Sequence, residues 1–547
     1  MNHEWTIEVV DEKGNAVSGA RVALVPSSAL AGKNWPFTTV AATHKHAGAG
    51  KYEASSPMKP VTADFTLLVT LPGKSPVVQP LKMKQTKNAG EFATTPAPRS
   101  AATVSASSEI KTSGKIKIRR TRFKVTLHKT SEVVAVSGTE YHDKGTRFRL
   151  FAESRRDDLR SRKQVNAGVI WTLFSTDDRS IETFVPAVGS AWLRVAIQKL
   201  GPTDAINPGS QHNAESGSDV SPPHVYRYLS SVGKLDPGRV QEVSVFSHSY
   251  PVGPILFNTE DDPNSERRSP ADFDMRVKDF APVNTAAWPS MAAAMASTGE
   301  WHIWGCSATT HHKNLASEAQ DQRKKSTPDN VSFVVRSTVN TDDGRPLLRI
   351  EERTTLARLR VLFDQSFRNA TYMAAAAAHL NRPVFGAPPG VGSSFLLVGK
   401  RPFMLIQPEN YSRLYAYFKA EFAPHFAPTK AATDAGYVDY AALRARPIPP
   451  APAFASDCYA LTINLVAERS TVKFANGKSV SIDATDLQLK TSALSGFAKP
   501  GKSGHLYELR VVSDEAKSVA RYVQEDGKVF VVSKDAAGKF TLLGGEV

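Results

Sequence analysis

The chain has 547 residues, a formal net charge of +15, and a composition of 41% hydrophobic, 22% charged and 9% aromatic residues. That is the composition of a folded soluble protein, too long for a single core, so two to four domains are expected. No apolar run reaches the roughly 18 to 20 residues of a helical membrane span, which excludes that class.

The opening Met1-Asn2-His3-Glu4-Trp5 leads straight into a strand pattern, with no basic n-region and no apolar h-region. No secretory signal peptide is therefore expected. Two cysteines, Cys306 and Cys458, are too few for a disulfide framework and suit a reducing compartment. The expected location is the cytoplasm of the producing cell, with export by a machine that needs no cleaved signal as the other route.

Residues 1–95 read as all-β. Thr6-Ile7-Glu8-Val9-Val10 alternates, Asp11 to Asn15 is a turn, and Ala20 to Val25 is a second strand. Lys51-Tyr52-Glu53 and Phe65 to Thr70 continue the pattern. The phrases VVDEKGNAVSGARVALV and GAGKYEA resemble the transthyretin-like or carboxypeptidase-regulatory-like β-sandwich. The resemblance implies an accessory or docking module and says little about activity. His44 and His46 have no third ligand nearby in sequence and read as exposed loop histidines.

Residues 96–120 have a linker composition rich in Ala, Thr, Ser, Pro and Lys, and are expected to be a basic flexible linker. Between Lys111 and Lys129 eight basic residues and no acid carry more than half of the net charge. Such a run suits nucleic acid or an anionic surface. With Phe123 as its lone aromatic, base stacking is poorly served and a solvated basic segment is the preferred reading.

Residues 121–450 alternate strands and helices, as in an α/β layered domain. Val169 to Phe174 is a continuous apolar run, expected of a strand covered on both faces. Ala191 to Ile197 reads as a helix, and Pro223 opens another with Val225, Tyr226, Tyr228, Leu229 and Val232 as its stripe. Met291 to Ser297 reads as a short helix, Leu356 to Ala378 as mostly helical, and Pro383 to Ala387 as a strand. A Pro-rich break at 446–457 precedes residues 451–547, expected to form a β-rich module or a β extension of the core.

Two segments of the central region carry the chemistry. Val243 to Ser249 (VSVFSHS) and Trp301 to Cys306 (WHIWGC) both read as short buried strands ending on a reactive side chain. A parallel sheet gathers its carboxyl edges, so His248 and Cys306 need not be near in sequence to meet. A cysteine acts as a nucleophile when thiolate, and a neighbouring imidazole takes its proton. Gly305 would admit close approach of a carbonyl to the backbone, where N–H groups hold an oxyanion.

Ser247-His248 followed by Gly305-Cys306 resembles the caspase-like (clan CD) cysteine peptidases. In that family one strand ends in Ser-His-Gly and a later one in a small residue before the nucleophilic Cys. The resemblance covers about 150 residues and implies a caspase-like α/β/α sheet with His248 and Cys306 as catalytic dyad. Ser249 stands where the family has Gly.

Other constellations are weaker. Ser249 as a lipase-type nucleophile has Ser247 and Pro251 two before and two after it, where the elbow needs small residues, and no helix pattern follows. Asp272, Asp274, Arg276 and Asp279 could orient His248 or meet a charged substrate group. Asp272 and Asp274 lack the glycine and glutamate of a calcium loop. His311 and His312 have no usual zinc spacing from Cys306. Gly386 to Ser394 is a Gly/Pro loop followed by a strand, which makes Gly386 and Gly390 a cleft wall rather than a phosphate cradle. No metal and no cofactor are expected.

The combined expectation is a multidomain α/β protein: an N-terminal β-sandwich, a central caspase-like sheet domain and a C-terminal β-rich segment. Its expected activity is cysteine-dependent hydrolysis of peptide or amide bonds, on a protein or peptide substrate. Ser249, Gly305, Asp272, Asp274, Arg276, Asp279, Gly386 and Gly390 are the expected substrate-side residues. The alternative is a bacterial effector or toxin delivered by a secretion apparatus, partnered by that apparatus or an immunity protein, and acting by binding or by serine esterase chemistry.

Overall fold

The computed structural model describes residues 2–26, 42–56, 63–71, 74, 77–83, 104–113, 116–140, 147–161, 169–186, 192–200, 219–257, 259, 267–268, 272–307, 310–340, 346–406, 412–422 and 436–447, and then the C-terminal strands 461–465, 470–473, 479–482, 487–495, 503–511, 519–524, 529–534 and 540–546. Cys458 and residues 96–103 lie outside them.

Two N-terminal sheets share one core. The larger runs in the order Lys45–Gly48, Lys51–Ser56, Asn2–Asp11, Ile116–Leu127, Val104–Ser113. The smaller runs Arg21–Pro26, Ala63–Thr70, Val77–Met83. Trp5, Ile7, Tyr52 and Phe123 of the first sheet pack with Val22, Leu67 and Val69 of the second. His44 is buried here, its Nδ1 2.9 Å from Thr43 Oγ1, and burial holds its pKa down at about 4. It is therefore not the exposed loop histidine expected.

The segment expected as a flexible linker is largely strand. Ile116–Leu127 pairs in parallel with Asn2–Asp11, from Asn2↔Ile118 to Asp11↔Leu127, and antiparallel with Val104–Ser113. Composition hid a period of two: Thr121, Phe123, Val125 and Leu127 are buried, and Arg122 and Lys124 between them are exposed. Part of the basic run meets acids on neighbouring strands, with Arg120 Nε 2.5 Å from Glu4 and Arg122 3.6 Å from Glu109. Arg122 and Lys124 thus lie on the outer face of a sheet.

The central sheet has eight strands in the order Trp192–Lys199, Ser180–Pro186, Val169–Ser175, Ser131–Ser137, Val240–Phe246, Met295–Ile303, Val384–Gly386, Val438–Asp439. The five from Val169–Ser175 to Val384–Gly386 are mutually parallel, and the outer pairings are antiparallel. Ser131–Ser137 and Val169–Ser175 are buried along their whole length, as inner strands of a sheet covered on both faces must be. The helix expected from Pro223 spans Pro222–Leu235 and buries Val225, Tyr226, Leu229 and Val232.

Two helix expectations fail. Residues 192–199 are a strand at the sheet edge, bonded to Ser180–Pro186. β-branched and aromatic side chains suit that half-buried position. Met291 starts only one turn, Met291–Ala294, before the chain becomes the strand Met295–Ile303. Pairing with Val240–Phe246 overrides the helical preference of the alanines there.

The C-terminal strands continue a sheet begun earlier in the chain. Leu461–Leu465 pairs with Pro346–Thr354, itself paired with Phe333–Asn340, and antiparallel neighbours follow to Phe540–Glu546. The C-terminal strands therefore share a sheet with residues 333–354, distinct from the central one. Among the described residues, no helix is long and apolar enough to cross a membrane.

Candidate active site

The register of the central sheet brings the two reactive segments together. Val243 faces Trp301 and Val245 faces Ile303, and Trp304 N–H donates to Val245 O at 2.9 Å. Beyond that point Gly305 lies flat on the neighbouring chain. A Cβ there would fall 2.4 Å from Ser249 Cβ and 2.6 Å from Ser247 O. Only glycine permits this approach, so the ends carrying His248 and Cys306 adjoin. Gly305→Ala is expected to force them apart, costing about 1–3 kcal/mol, seen as a lower melting temperature together with slower labelling of Cys306.

His248 opens a tight hairpin, His248–Tyr250 with Gly253–Ile255. Its Nε2 is 3.0 Å from Glu140 Oε1, and its ring meets Phe148 edge-on at 5.2 Å. Glu140, just past the Ser131–Ser137 strand, was not singled out from the sequence. The parallel neighbour of the His248 strand ends beside it, a juxtaposition that lies in no local motif.

Cys306 Sγ receives the Ser393 backbone N–H at 3.1 Å and lies 3.3 Å from Ser393 Oγ. Ser393 belongs to the Gly/Pro loop. That loop pairs with the residue after Cys306: Ser307 N–H donates to Val391 O and Gly390 N–H to Ser307 O. Gly390 has φ +83°, and a Cβ on it would fall 2.7 Å from Lys313 N, at the start of the helix Thr310–Lys324. Gly390 therefore seats the loop against the Cys306 segment. Gly386 packs elsewhere, against Met373 of the helix Tyr372–Leu380, and belongs to the core. Sulfur and imidazole thus each hold a polar partner from another segment, Ser393 and Glu140.

The layer beneath is aromatic and ionic. Phe246 and Trp304, two residues before His248 and Cys306, stack at 5.7 Å with an interplanar angle of 3°. His302 stacks on Trp304 and on Phe385. Arg155, from the helix Phe148–Ser161, lies over Trp304 at 5.0 Å and pairs through two nitrogens with Glu242, at 3.0 and 2.9 Å. Ser244 Oγ accepts from Trp304 Nε1 and donates to Glu242. Burial opposes ionisation of Glu242, but the charges of Arg155 and His302 and these hydrogen bonds outweigh it and hold its pKa at about 2.

The acid cluster does not supply the carboxylate on His248 Nε2. Asp279 is buried and takes Arg268 and the Tyr226 hydroxyl. Asp274 accepts the Phe257 and Thr259 N–H groups and pairs with Arg276, and Asp272 lies within salt-bridge range of Arg276 and Lys278. Their segment packs on the hairpin after His248, with Met275 N–H donating to Pro254 O and Val277 N–H to Val252 O. A Cβ on Gly253, at φ +145°, would fall 1.9 Å from Met275 O. The cluster buttresses the hairpin as a salt-bridged loop. Ser249 is buried, with its hydroxyl donating to Tyr250 O at 3.2 Å, and a hairpin rather than a helix follows. That is not the setting of a nucleophile elbow. No group of three or more metal-ligating side chains occurs among the described residues.

No family model and no curated protein matches the chain. Two solved structures of a secreted C11 cysteine protease from Bacteroides thetaiotaomicron show a distant likeness. The one in complex with an irreversible peptide inhibitor has 8% identity and a TM-score of 0.21, covering 64% of this chain and 89% of that one. The other, named iotapain, has 10% identity and a TM-score of 0.18, covering 53% of this chain and 85% of that one. At these TM-scores neither likeness bears on the fold or the activity of this chain.

Proposed function

We propose that the chain is a cysteine-dependent hydrolase of the caspase-like type, cleaving peptide or amide bonds in a protein or peptide substrate. The observation that supports this most is the seating of Gly305 on Ser247 and Ser249, which sets a thiol and an imidazole on adjoining ends of parallel strands. Cys306 is the nucleophile and His248 the group that takes its proton and returns it to the leaving amine. Glu140 orients the imidazole. For transfer to occur, the thiol and the imidazole turn toward each other, from Ser393 and Glu140 respectively, to form a shared bond.

Selective alkylation tests the reading. Iodoacetamide at neutral pH, with both cysteines followed by mass spectrometry, is expected to label Cys306 ahead of Cys458. His248→Ala should slow labelling of Cys306 by about tenfold or more. Equal rates in parent and variant would remove the dyad. Glu140→Gln is expected to lower kcat roughly tenfold or more with little change in KM, as loss of an orienting carboxylate does. An effector or toxin role, with a secretion apparatus or an immunity protein as partner, is compatible with this chemistry. Expression of parent and Cys306→Ala in a susceptible cell tests it, with toxicity expected of the parent alone.

A further inference from the structure

The hairpin that follows Ser393, Ser394–Val398 with Arg401–Leu405, leaves four consecutive apolar side chains in solvent. Phe395, Leu396, Leu397 and Val398 are 61%, 42%, 63% and 46% exposed. Its base is anchored, since Phe403, Met404, Leu405 and Ile406 are buried. Its two turn residues, Gly399 and Lys400, both have positive φ, at 53° and 70°, as in the tight two-residue turns whose twist matches a β-ribbon. The ribbon lies along the helix Phe148–Ser161, where Phe395 meets Phe151 edge-on at 6.3 Å, and the remaining surface of its four apolar side chains is open to solvent. Strand alternation sends Phe395 and Leu397 to one face and Leu396 and Val398 to the other. Both faces of the ribbon are thus apolar, and exposed Lys400 and Arg401 sit at the turn, Arg401 within 3.3 Å of Asp157.

We propose that this hairpin tip docks the protein on an anionic lipid bilayer, its apolar residues entering the interface and its basic turn meeting headgroups. A groove on a partner protein would cover one face of a ribbon and leave the other wet. A bilayer interface can take the apolar surface that both faces leave exposed. Lys400 and Arg401, on a chain of net charge +15, add attraction to anionic headgroups. The hairpin starts one residue after Ser393, so docking would hold the Cys306 segment at the membrane surface. The inference stands whether or not Cys306 proves catalytic.

Flotation of the full chain with vesicles of phosphatidylcholine and phosphatidylglycerol in equal parts, and of phosphatidylcholine alone, tests it. Binding is expected to the anionic vesicles and to weaken by about tenfold or more in Leu396→Asp/Leu397→Asp. Lys400→Glu should reduce binding to the anionic vesicles by roughly fivefold. As a second variant, Leu397→Trp should show a blue-shifted emission on adding anionic vesicles. Failure of the parent to float with either vesicle, unchanged binding by the aspartate variant despite an unchanged melting temperature, or no shift at Trp would overturn the proposal. So would a lipid-free dimer in sedimentation velocity that the aspartate variant dissolves, because the tip would then be covered by a second copy.

Discussion

Replacing Cys306 by alanine is expected to abolish hydrolysis, lowering kcat/KM by at least about 10³-fold while leaving the melting temperature nearly unchanged. The sulfur is part-buried and, among the described residues, its polar contacts are with Ser393, so little packing is lost with it. Ser249→Ala is the matched control. Its hydroxyl bonds the adjacent Tyr250 carbonyl, and its removal should cost about 1 kcal/mol of stability with kcat within about threefold. Scanning a peptide library with parent, Cys306→Ala and Ser249→Ala reads both. Loss of activity in the serine variant with retention in the cysteine variant would reverse the assignment of the nucleophile.

The second large effect is on stability. Glu242→Ala leaves Arg155, buried over Trp304, with the more distant Asp158 at 3.8 Å in place of a two-point carboxylate, and breaking a buried pair from one side costs up to about 3–5 kcal/mol. The double replacement Arg155→Met/Glu242→Leu should recover much of that loss, because it removes both desolvated charges. Denaturant melts of the two variants beside the parent distinguish a charged pair that matters as a pair from one that only fills space. The same network sets an acid limit. Glu242 is shifted from an ordinary 4.5 to about 2, so the folded state favours its ionised form. Its contribution is fully present above about pH 4.5 and disappears as pH falls through about 2. The whole contribution is about 3 kcal/mol. Corrected for its lower stability at neutral pH, Glu242→Gln should therefore lose less stability than the parent as pH falls from about 4.5 to about 2, and its acid transition should lie at lower pH. Coincident acid transitions would show that Glu242 carries no such linkage.

Strand and helix patterns in the core were readable because burial imprints a period on the sequence. Val169 to Phe174 and the stripe from Val225 to Val232 show it, as do the endings at His248 and Cys306. Reading failed where a partner strand decided the outcome. Residues 192–197 carry a pattern that a lone segment could satisfy as helix, and Ser180–Pro186 draws them into a sheet edge instead. The hairpin at 104–127 was hidden by its Lys, Arg and Ser content, although every second residue from Thr121 to Leu127 is buried.

The candidate site divides along the same line. His248 and Cys306 could be put forward from sequence because each lies just past an apolar strand, Val240–Phe246 and Met295–Ile303, and both carry side chains capable of the chemistry. Glu140 and Ser393 could not, since they reach the site from segments 108 and 87 residues away, through strand order and a loop that packs on Ser307. Nor could sequence separate the acids of 272–279 from a true partner of the imidazole. Local spacing says which side chains are capable of a role, but a carboxylate acts only on what it touches, and the sheet order chose Glu140.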